Sequence, residues 1–321
     1  MSDLAMIRAA AARARDIRRT PMLAAAALDR IAGRRVLVKA EALQVTGSFK
    51  ARGGWAAVSA LAAAGETGGV FAYSSGNHAQ GVAWAAAAHG MPAVILMPSD
   101  APAGKIEGTK ALGAEVVLYD RGRQDRDALG AELAAARGLS LIPPFDHPEV
   151  IAGQGTVGLE IAAQAAEAGV EKADVLVCCG GGGLSAGIAL ALEAEAPGLR
   201  VRTAEPAGFD DMARSLAAGE RLGNAAATGS ICDAILTPRP GALTFPVLQR
   251  LAGPGLVVSD DEALEALALA FRHLKLVLEP GGAVALAAAL FRGGVVAGDA
   301  VVCVATGGNV DAALFAAAIS R

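Results

Sequence analysis

The sequence predicts an α/β protein in which two mainly parallel, twisted sheets are flanked by helices. Short β-branched runs alternate with longer segments rich in Ala and Leu, which is the pattern of parallel strands covered by helices on both faces. With 321 residues, 54% of them hydrophobic, the chain can bury a large core. The 40 glycines and the low aromatic content of 4% favour helices that pack closely against strands.

The predicted strands fall into two sets. In chain order they are RVLVKAE, GVFAYSS, PAVILMP, AEVVLYD, ADVLVCC, LRVRTAE and AVVCVAT. The second, third and fourth runs follow one another closely and predict a compact sheet that ends near the Pro-rich segment LIPPFDHPEV. We therefore predict a large domain of residues 1–60 and 146–321, an inserted small domain of residues 61–145, and a cleft between them.

The composition narrows the class of protein. The formal net charge is only -4 and the basic residues are scattered, so no nucleic-acid partner is expected. Apolar stretches are interrupted before they reach membrane-spanning length, and the first residues lack the pattern of a signal peptide, so we expect a cytoplasmic protein without a membrane partner. The cysteines form no CxxC pair and are expected to be buried thiols: Cys178, Cys179, Cys232 and Cys303.

A run of glycines lies between the predicted strand ADVLVCC and the helix that follows it. Consecutive glycines let backbone N–H groups approach an anion, and a helix start adds partial positive charge. A phosphate is therefore the expected ligand of Gly180, Gly181, Gly182 and Gly183.

Two other interpretations of this loop remain open at this point. Gly181, Gly183 and Ala186 fit G-x-G-x-x-A, and Glu205 follows the next strand, as in a nicotinamide-dependent dehydrogenase. The loop also contains the G-x-S-x-G pattern of hydrolases around Ser185. A glycine-rich loop separates this serine from its strand, which disfavours the hydrolase.

Lys50 distinguishes between these interpretations. It follows the residues TGSF, which resemble a capped helix start, and the positive end of a helix disfavours a protonated amine. A partly neutral amine is what a Schiff base requires. SGNHAQG predicts a second helix start suited to a carboxylate, and VATGGNVD places the hydroxyl of Thr306 at a strand end. These are the parts needed to bind pyridoxal phosphate and an amino acid.

The sequence resembles the serine/threonine dehydratase family of fold-type II pyridoxal-phosphate enzymes, which includes threonine ammonia-lyases and serine racemases. The matching segments span nearly the whole chain: TGSFKARG, SSGNHAQG, VIAGQGT, CGGGGLSAG, EPGGAVAL and TGGNVD. The resemblance implies a fold like that of the tryptophan synthase β chain, pyridoxal 5'-phosphate as cofactor, a small amino-acid substrate and a homodimer.

The resemblance also implies roles for individual residues. Lys50 would form the Schiff base with the cofactor, Asn77 would bond its 3′-oxygen, and Thr306 would face its pyridine nitrogen. The implied cofactor-binding set is Phe49, Lys50, Asn77, Gly180, Gly181, Gly182, Gly183, Glu279 and Thr306.

The segment SSGNH would surround the substrate carboxylate through Ser75, Gly76, Asn77 and His78. Ser75 is also a catalytic candidate, because the matching serine of racemases in this family delivers a proton on the opposite face of the ring.

A divalent-cation site found in part of the family is implied at Glu205, Asp211 and the backbone carbonyl of Phe209. Hard oxygen ligands of this kind favour Mg²⁺ or Ca²⁺. The sequence departs from the family where Cys232, Asp233 and Ala234 replace a frequent Ala-Asp-Gly.

The expected activity is dehydration and deamination of L-threonine, L-serine or a related 3-hydroxy amino acid to a 2-oxo acid and ammonia. An amino-acid racemase on the same scaffold is the alternative. A nicotinamide-dependent dehydrogenase is a distant one, because it leaves TGSFK and SSGNH without a function.

Overall fold

The computed structural model describes residues 2–74, 76–101, 103–120 and 122–321, and the chain forms two sheets flanked by helices. The strands are β1 Met22–Leu23, β2 Arg35–Ala40, β3 Val70–Tyr73, β4 Ala93–Pro98, β5 Glu115–Tyr119, β6 Ser140–Leu141, β7 Ala173–Cys178, β8 Leu199–Pro206, β9 Leu256–Val258 and β10 Ala300–Ala305. The helices are α1 Leu4–Arg13, α2 Ala26–Ala32, α3 Lys50–Ala63, α4 Asn77–Ala88, α5 Ala103–Ala111, α6 Arg126–Arg137, α7 Pro148–Glu167, α8 Gly183–Glu195, α9 Asp211–Ala218, α10 Thr244–Leu251, α11 Asp260–Leu274, α12 Pro280–Phe291 and α13 Ala312–Ile319.

The two sheets have separate strand orders. The larger is β1-β2-β10-β7-β8-β9, parallel throughout except for the antiparallel β1/β2 pair. The smaller is β5-β4-β3-β6 and is parallel.

The α/β prediction is confirmed, as is each predicted strand. The sequence did not predict β1, β6 and β9, which are too short to show a pattern. The residue bounds of the two domains stay a prediction.

The larger sheet is covered on both faces. Along β10, Val301 and Cys303 pack with α12 in one hydrophobic cluster, and Val302 and Val304 pack with α7 and α8 in another. Successive side chains of a strand point to opposite faces, so an unbroken apolar strand fits a sheet with helices on both sides.

The start of α3 is held closely against α4. A Cβ added to Gly81 would lie 2.8 Å from the backbone carbonyl of Lys50, and one added to Gly54 would lie 2.7 Å from the Gly81 carbonyl oxygen. Only glycine permits such an approach of two backbones. The packing of these helices therefore fixes the first turn of α3.

All four cysteines are free and buried, as expected from the sequence. No helix in the described part of the chain has both the length and the apolar character needed to span a bilayer.

Candidate active site

One cavity of about 220 Å³ collects the predicted cofactor and substrate residues. Its lining includes Phe49, Lys50, Gly76, Asn77, His78, Gly180, Gly181, Gly182, Gly183, Glu279 and Thr306. Ser75 lies outside the described residues. The cavity is at the carboxyl ends of β3, β7 and β10, where parallel sheets commonly bind ligands.

Lys50 is the first residue of α3, and its amine lies inside the cavity. The Nζ atom donates to the Pro144 carbonyl oxygen at 2.6 Å and lies 5.1 Å from the centroid of the Phe49 ring. Burial lowers the pKa of Lys50 to about 8, and the opposing charge of Glu279 limits that decrease. At physiological pH a lysine of this pKa is still mainly protonated, but its neutral fraction is far larger than that of a lysine at the ordinary value of 10.5.

One detail of the sequence-based explanation for Lys50 was wrong. The helix begins where expected, but its cap residue is Phe49 and no side chain caps it, while the Ser48 hydroxyl has no hydrogen-bond partner. Desolvation is the largest cause of the lowered pKa of Lys50, and the sequence could not show this burial.

The glycine loop forms a tight turn into α8. Gly182 has φ +92°, and a Cβ there would lie 2.8 Å from Met212 Cε. A Cβ on Gly181 would overlap the Phe145 ring. No side chain caps α8, so the N–H groups of its first turn are available to an anion. The Gly181 carbonyl is held by the Thr244 hydroxyl, which donates to it at 2.6 Å.

The start of α4 is less closely surrounded than the start of α8. Its cap residue Gly76 has no side chain to bond the first N–H groups, and a Cβ added there would meet no atom within 4 Å. The Gly76 N–H itself donates to Ser74 Oγ at 3.2 Å. The first turn therefore leaves N–H groups free beside open space, as a carboxylate site requires.

His78 is a neutral side chain. Its Nε2 lies 2.8 Å from the Ile142 carbonyl oxygen, which can only accept, so Nε2 carries the proton. Burial, together with the nearby Lys50 charge, lowers the pKa of His78 to about 3. The Nδ1 atom is buried without a partner, and in this tautomer it is an acceptor. The His78 imidazole therefore supplies neither a positive charge nor a free donor to a carboxylate, and only the backbone N–H of His78, in the first turn of α4, is available for that role.

Glu279 and Asn77 are joined across the cavity. Asn77 Nδ2 donates to Glu279 Oε1 at 2.5 Å. Burial raises the pKa of Glu279 to about 7, while the Asn77 donor opposes that increase. A Cβ on Gly307 would overlap this carboxylate, so the glycine makes room for the bond.

Thr306 directly follows β10 and connects three parts of the site. Its carbonyl accepts from the Phe49 N–H at 3.1 Å, and its own N–H donates to the Gly282 carbonyl at 3.3 Å. The backbone before Lys50 is thus attached to the larger sheet and to the start of α12.

Sequence reasoning missed several residues at this site. Pro144 and Phe145 were interpreted only as the end of the small sheet, and Asn309 only as part of the TGGNVD segment. Lys105 and Gln154 also line the cavity, and the Gln154 amide is buried without a partner. For Pro144, Phe145, Gln154 and Asn309 the available signal was their presence in the segments LIPPFDHPEV, VIAGQGT and TGGNVD, whereas no recognised segment contains Lys105.

The predicted cation site lies outside this cavity. Glu205 accepts from the backbone N–H groups of Met212 at 2.9 Å and Ala213 at 2.8 Å, while Asp211 Oδ2 is buried without a partner. Among the described residues, no group of three His, Cys, Asp or Glu side chains is suited to hold a metal. The site at Glu205, Phe209 and Asp211 stays a prediction.

A family model described as pyridoxal-phosphate-dependent enzyme matches residues 14–307. The chain belongs to this family of pyridoxal-phosphate-dependent enzymes. It is 41% identical over 293 residues to an L-threo-3-hydroxyaspartate ammonia-lyase of Pseudomonas sp, covering 91% of this chain and 90% of that protein. It is 36% identical over 304 residues to a serine racemase of Schizosaccharomyces pombe, covering 94% of this chain and 92% of that one. A solved structure of a threonine deaminase from T.th. matches with a TM-score of 0.90 and 44% identity, covering 96% of this chain and 99% of that chain.

The site of this pyridoxal-phosphate-dependent enzyme fits its cofactor. The glycine loop before α8 offers uncapped N–H groups, and a Cβ on Gly181 or Gly182 would collide with Phe145 or Met212, so the loop keeps its backbone bare for a phosphate. A buried amine of lowered pKa lies in the same cavity, as a lysine that binds an aldehyde requires. The dehydrogenase interpretation has no corresponding support, since both carboxylate oxygens of Glu205 are bonded to the start of α9.

Proposed function

We propose that this enzyme catalyses dehydration and deamination of 3-hydroxy amino acids, L-threonine, L-serine or a relative such as 3-hydroxyaspartate, to a 2-oxo acid and ammonia. The observation that carries the proposal is the buried Lys50 amine, with a pKa of about 8, in one cavity with two uncapped helix starts. The names of the relatives support it, since two of the three compared proteins are called an ammonia-lyase or a deaminase.

We assign the cofactor contacts as follows. Lys50 binds the aldehyde, the loop Gly180 to Gly183 binds the phosphate, and Phe49 lies against the ring. Asn77 contacts the 3′-oxygen, and the Thr306 hydroxyl faces the pyridine nitrogen. The tight turn at Gly182 and the position of Thr306 at a strand end support these assignments.

The chemistry requires one group that takes a proton and one that holds the substrate. When bound, pyridoxal phosphate supplies a conjugated ring that delocalises the electrons released at the α-carbon. The Lys50 amine would be freed when the substrate amine takes its place on the aldehyde, and it would then take the α-proton. A pKa near 8 suits this role because the amine exchanges protons readily near neutral pH. The N–H groups at the start of α4 hold the substrate carboxylate and so orient the α-hydrogen.

The hydroxyl of Thr306 favours elimination of the β-hydroxyl from the substrate. A neutral hydroxyl beside a pyridine nitrogen does not favour its protonation as a carboxylate would. Charge at the α-carbon would then be stabilised less well by the cofactor, which favours prompt loss of the β-hydroxyl as water, with a proton such as the one that Lys50 takes. Water completes the reaction by releasing ammonia and the 2-oxo acid.

Racemisation is a second candidate activity, because a relative of 36% identity is named serine racemase. It would require an acid or base on the opposite ring face, for which Ser75 is the candidate. Both activities are therefore measured together.

The test is a panel of L- and D-serine, L-threonine and L-threo-3-hydroxyaspartate, assayed for ammonia, 2-oxo acid and chirality. We expect ammonia and 2-oxo acid in equal amounts from at least one L-substrate. Inversion without ammonia release would make the enzyme a racemase, and no turnover of any of these compounds would reject both proposals.

We propose that the enzyme is a homodimer. Leu43 and Val277 are apolar and 44% and 41% exposed, and their segments adjoin, since a Cβ on Gly308 would lie 3.4 Å from Ala42 and 2.6 Å from the Val277 carbonyl oxygen. Light scattering that gives the mass of one chain, 31.9 kDa, would reject the dimer.

A further inference from the structure

Asn309 lies in the loop after β10 and bonds to two other parts of the chain. Its Nδ2 atom donates to the Thr46 carbonyl at 2.8 Å and to Asn77 Oδ1 at 2.7 Å, with a longer contact of 3.3 Å to Gln80 Oε1. Thr46 precedes α3, which carries Lys50, and Asn77 begins α4, which packs against the smaller sheet. One amide therefore connects the larger sheet to both helix starts.

The direction of these hydrogen bonds is determined at Thr46. A backbone carbonyl can only accept, so the amino group of Asn309 must face it. The same amino group then requires the oxygen of the Asn77 amide. The amino group of Asn77 is left to face Glu279, to which it donates at 2.5 Å.

The surrounding backbone leaves little room for another arrangement. Thr46 and Gly47 both have positive φ, at 61° and 75°, which turns the chain around the Asn309 amide. A Cβ on Gly47 would overlap Asn309 Oδ1, and one on Gly307 would overlap Glu279 Oε1. Gly47 and Gly307 thus leave room for the hydrogen-bonded chain of side chains that runs from Asn309 through Asn77 to Glu279.

We propose that Asn309 is a positioning residue that sets the orientation of the Asn77 amide, so that Asn77 presents its amino group to Glu279 and to the cofactor. The part of this inference that concerns the cofactor rests on the proposed contact of Asn77 with the 3′-oxygen. The part that concerns Glu279 depends only on the hydrogen bonds described above.

The test replaces Asn309 by Asp, which has the same size but no donor. A carboxylate would face the Thr46 carbonyl and Asn77 Oδ1, so the Asn77 amide should reverse and present its oxygen to Glu279. Glu279 loses a donor that opposes its raised pKa, so its titration midpoint should move above about 7. Glu279 also faces Lys50, Lys105 and Asp233, which the substitution leaves unchanged. The carboxylate that Asn309→Asp introduces would itself raise this pKa, so the uncharged Asn309→Ser is measured beside it, and only a shift in both variants reports the orientation of the Asn77 amide.

Two measurements on the full chain report the result. Carbon-13 NMR of the apoprotein gives the titration midpoint of Glu279, and an absorbance titration gives the affinity for pyridoxal phosphate. We expect an upward shift of the midpoint and a loss of affinity of about tenfold, the effect of about one hydrogen bond. Gln80→Ala is the matched control, since it removes only the longest contact of the same amide. It should leave both values within about twofold.

An Asn309→Asp or Asn309→Ser variant with an unchanged Glu279 midpoint would overturn the proposal, even if its thermal stability fell. A shifted midpoint with unchanged cofactor affinity would support the orienting role and reject the proposed contact between Asn77 and the cofactor. If Asn309→Asp does not fold, Asn309→Ser serves the same test, because its shorter side chain cannot reach both acceptors.

Discussion

Two helix starts face the same cavity, those of α8 and α4, and they differ in how closely the protein surrounds them. Neither has a side-chain cap, so each offers free N–H groups. At the α8 start, a Cβ on Gly181 would overlap the Phe145 ring, and one on Gly182 would lie 2.8 Å from Met212. At the α4 start, a Cβ on Gly76 would meet nothing within 4 Å.

The difference matches what each start is proposed to bind. A cofactor that stays in place through every turnover is best held by a rigid loop, whose N–H groups need not reorganise. A substrate must enter and leave, so its binding site needs open space. Uncapped N–H groups at a helix start can thus bind either a permanently held phosphate or an exchanging substrate carboxylate. The packing around the helix start determines which of the two it suits.

The largest expected effect comes from a substitution in the closely packed start of α8. Gly181→Ala places a methyl group against the Phe145 ring, and overpacking of this kind costs about 1–3 kcal/mol. We expect the affinity for pyridoxal phosphate to fall by about 10- to 100-fold, measured by absorbance titration of the apoprotein. An affinity within twofold of the original, with the apoprotein folded, would contradict the proposed phosphate loop.

Gly76→Ala is the matched substitution at the start of α4, which is called the open start because a Cβ on Gly76 meets no atom within 4 Å. The added methyl group meets no protein atom, so the cofactor affinity should stay within about twofold. It does occupy part of the open space in which the substrate carboxylate is proposed to bind, and KM should rise by about fivefold, the cost of about one weakened hydrogen bond, with kcat little changed. Steady-state kinetics on the preferred substrate decide this. A fall in cofactor affinity equal to that of Gly181→Ala would remove the distinction between the two starts.

Glu279, beside the open start, should make stability depend on pH. Burial raises its pKa to about 7, above its ordinary value of 4.5, so the folded chain holds this proton more tightly than the unfolded chain. Its contribution is therefore most favourable at low pH and is lost as pH rises from about 4.5 through about 7. Melting of the apoprotein at pH 5 and pH 8 should show a smaller change in Glu279→Gln than in the original enzyme. An equal change in both proteins would show that Glu279 is not the group responsible.

The smallest expected effect concerns the predicted cation site, away from both starts. Mg²⁺ or Ca²⁺ at tenfold its dissociation constant would stabilise the fold by about 1.4 kcal/mol and raise the melting temperature by roughly 2 °C. Asp211→Asn should abolish the increase, because Asp211 Oδ2 is the unpartnered oxygen of the group. Calorimetry with and without the ion tests this, and an increase that survives the substitution would place the ion elsewhere.

Much of the site could be predicted from the sequence because its parts lie at junctions of regular structure. The glycine loop, Lys50, the start of α4 and Thr306 each follow or precede a recognisable strand or helix. Such junctions combine a backbone pattern with a chemical group in a few consecutive residues, so short segments carry the signal.

Contacts between distant segments could not be predicted. The Lys50 amine donates to the Pro144 carbonyl, 94 residues away, and any residue could supply a backbone carbonyl. The lowered pKa of Lys50 likewise results from burial by the folded chain. Asn309 was part of a recognised segment, but its partners Thr46 and Asn77 depend on how the two sheets come together.

Lys50 is proposed to hold the cofactor in the cavity that the two helix starts share. Borohydride reduction of the holoenzyme followed by peptide mapping tests it directly, because reduction fixes the cofactor on the lysine that binds it. We predict the label on the peptide that contains Lys50, and in Lys50→Ala we predict neither label nor the visible absorbance band. A label on another lysine, or a band that survives in Lys50→Ala, would contradict the claim.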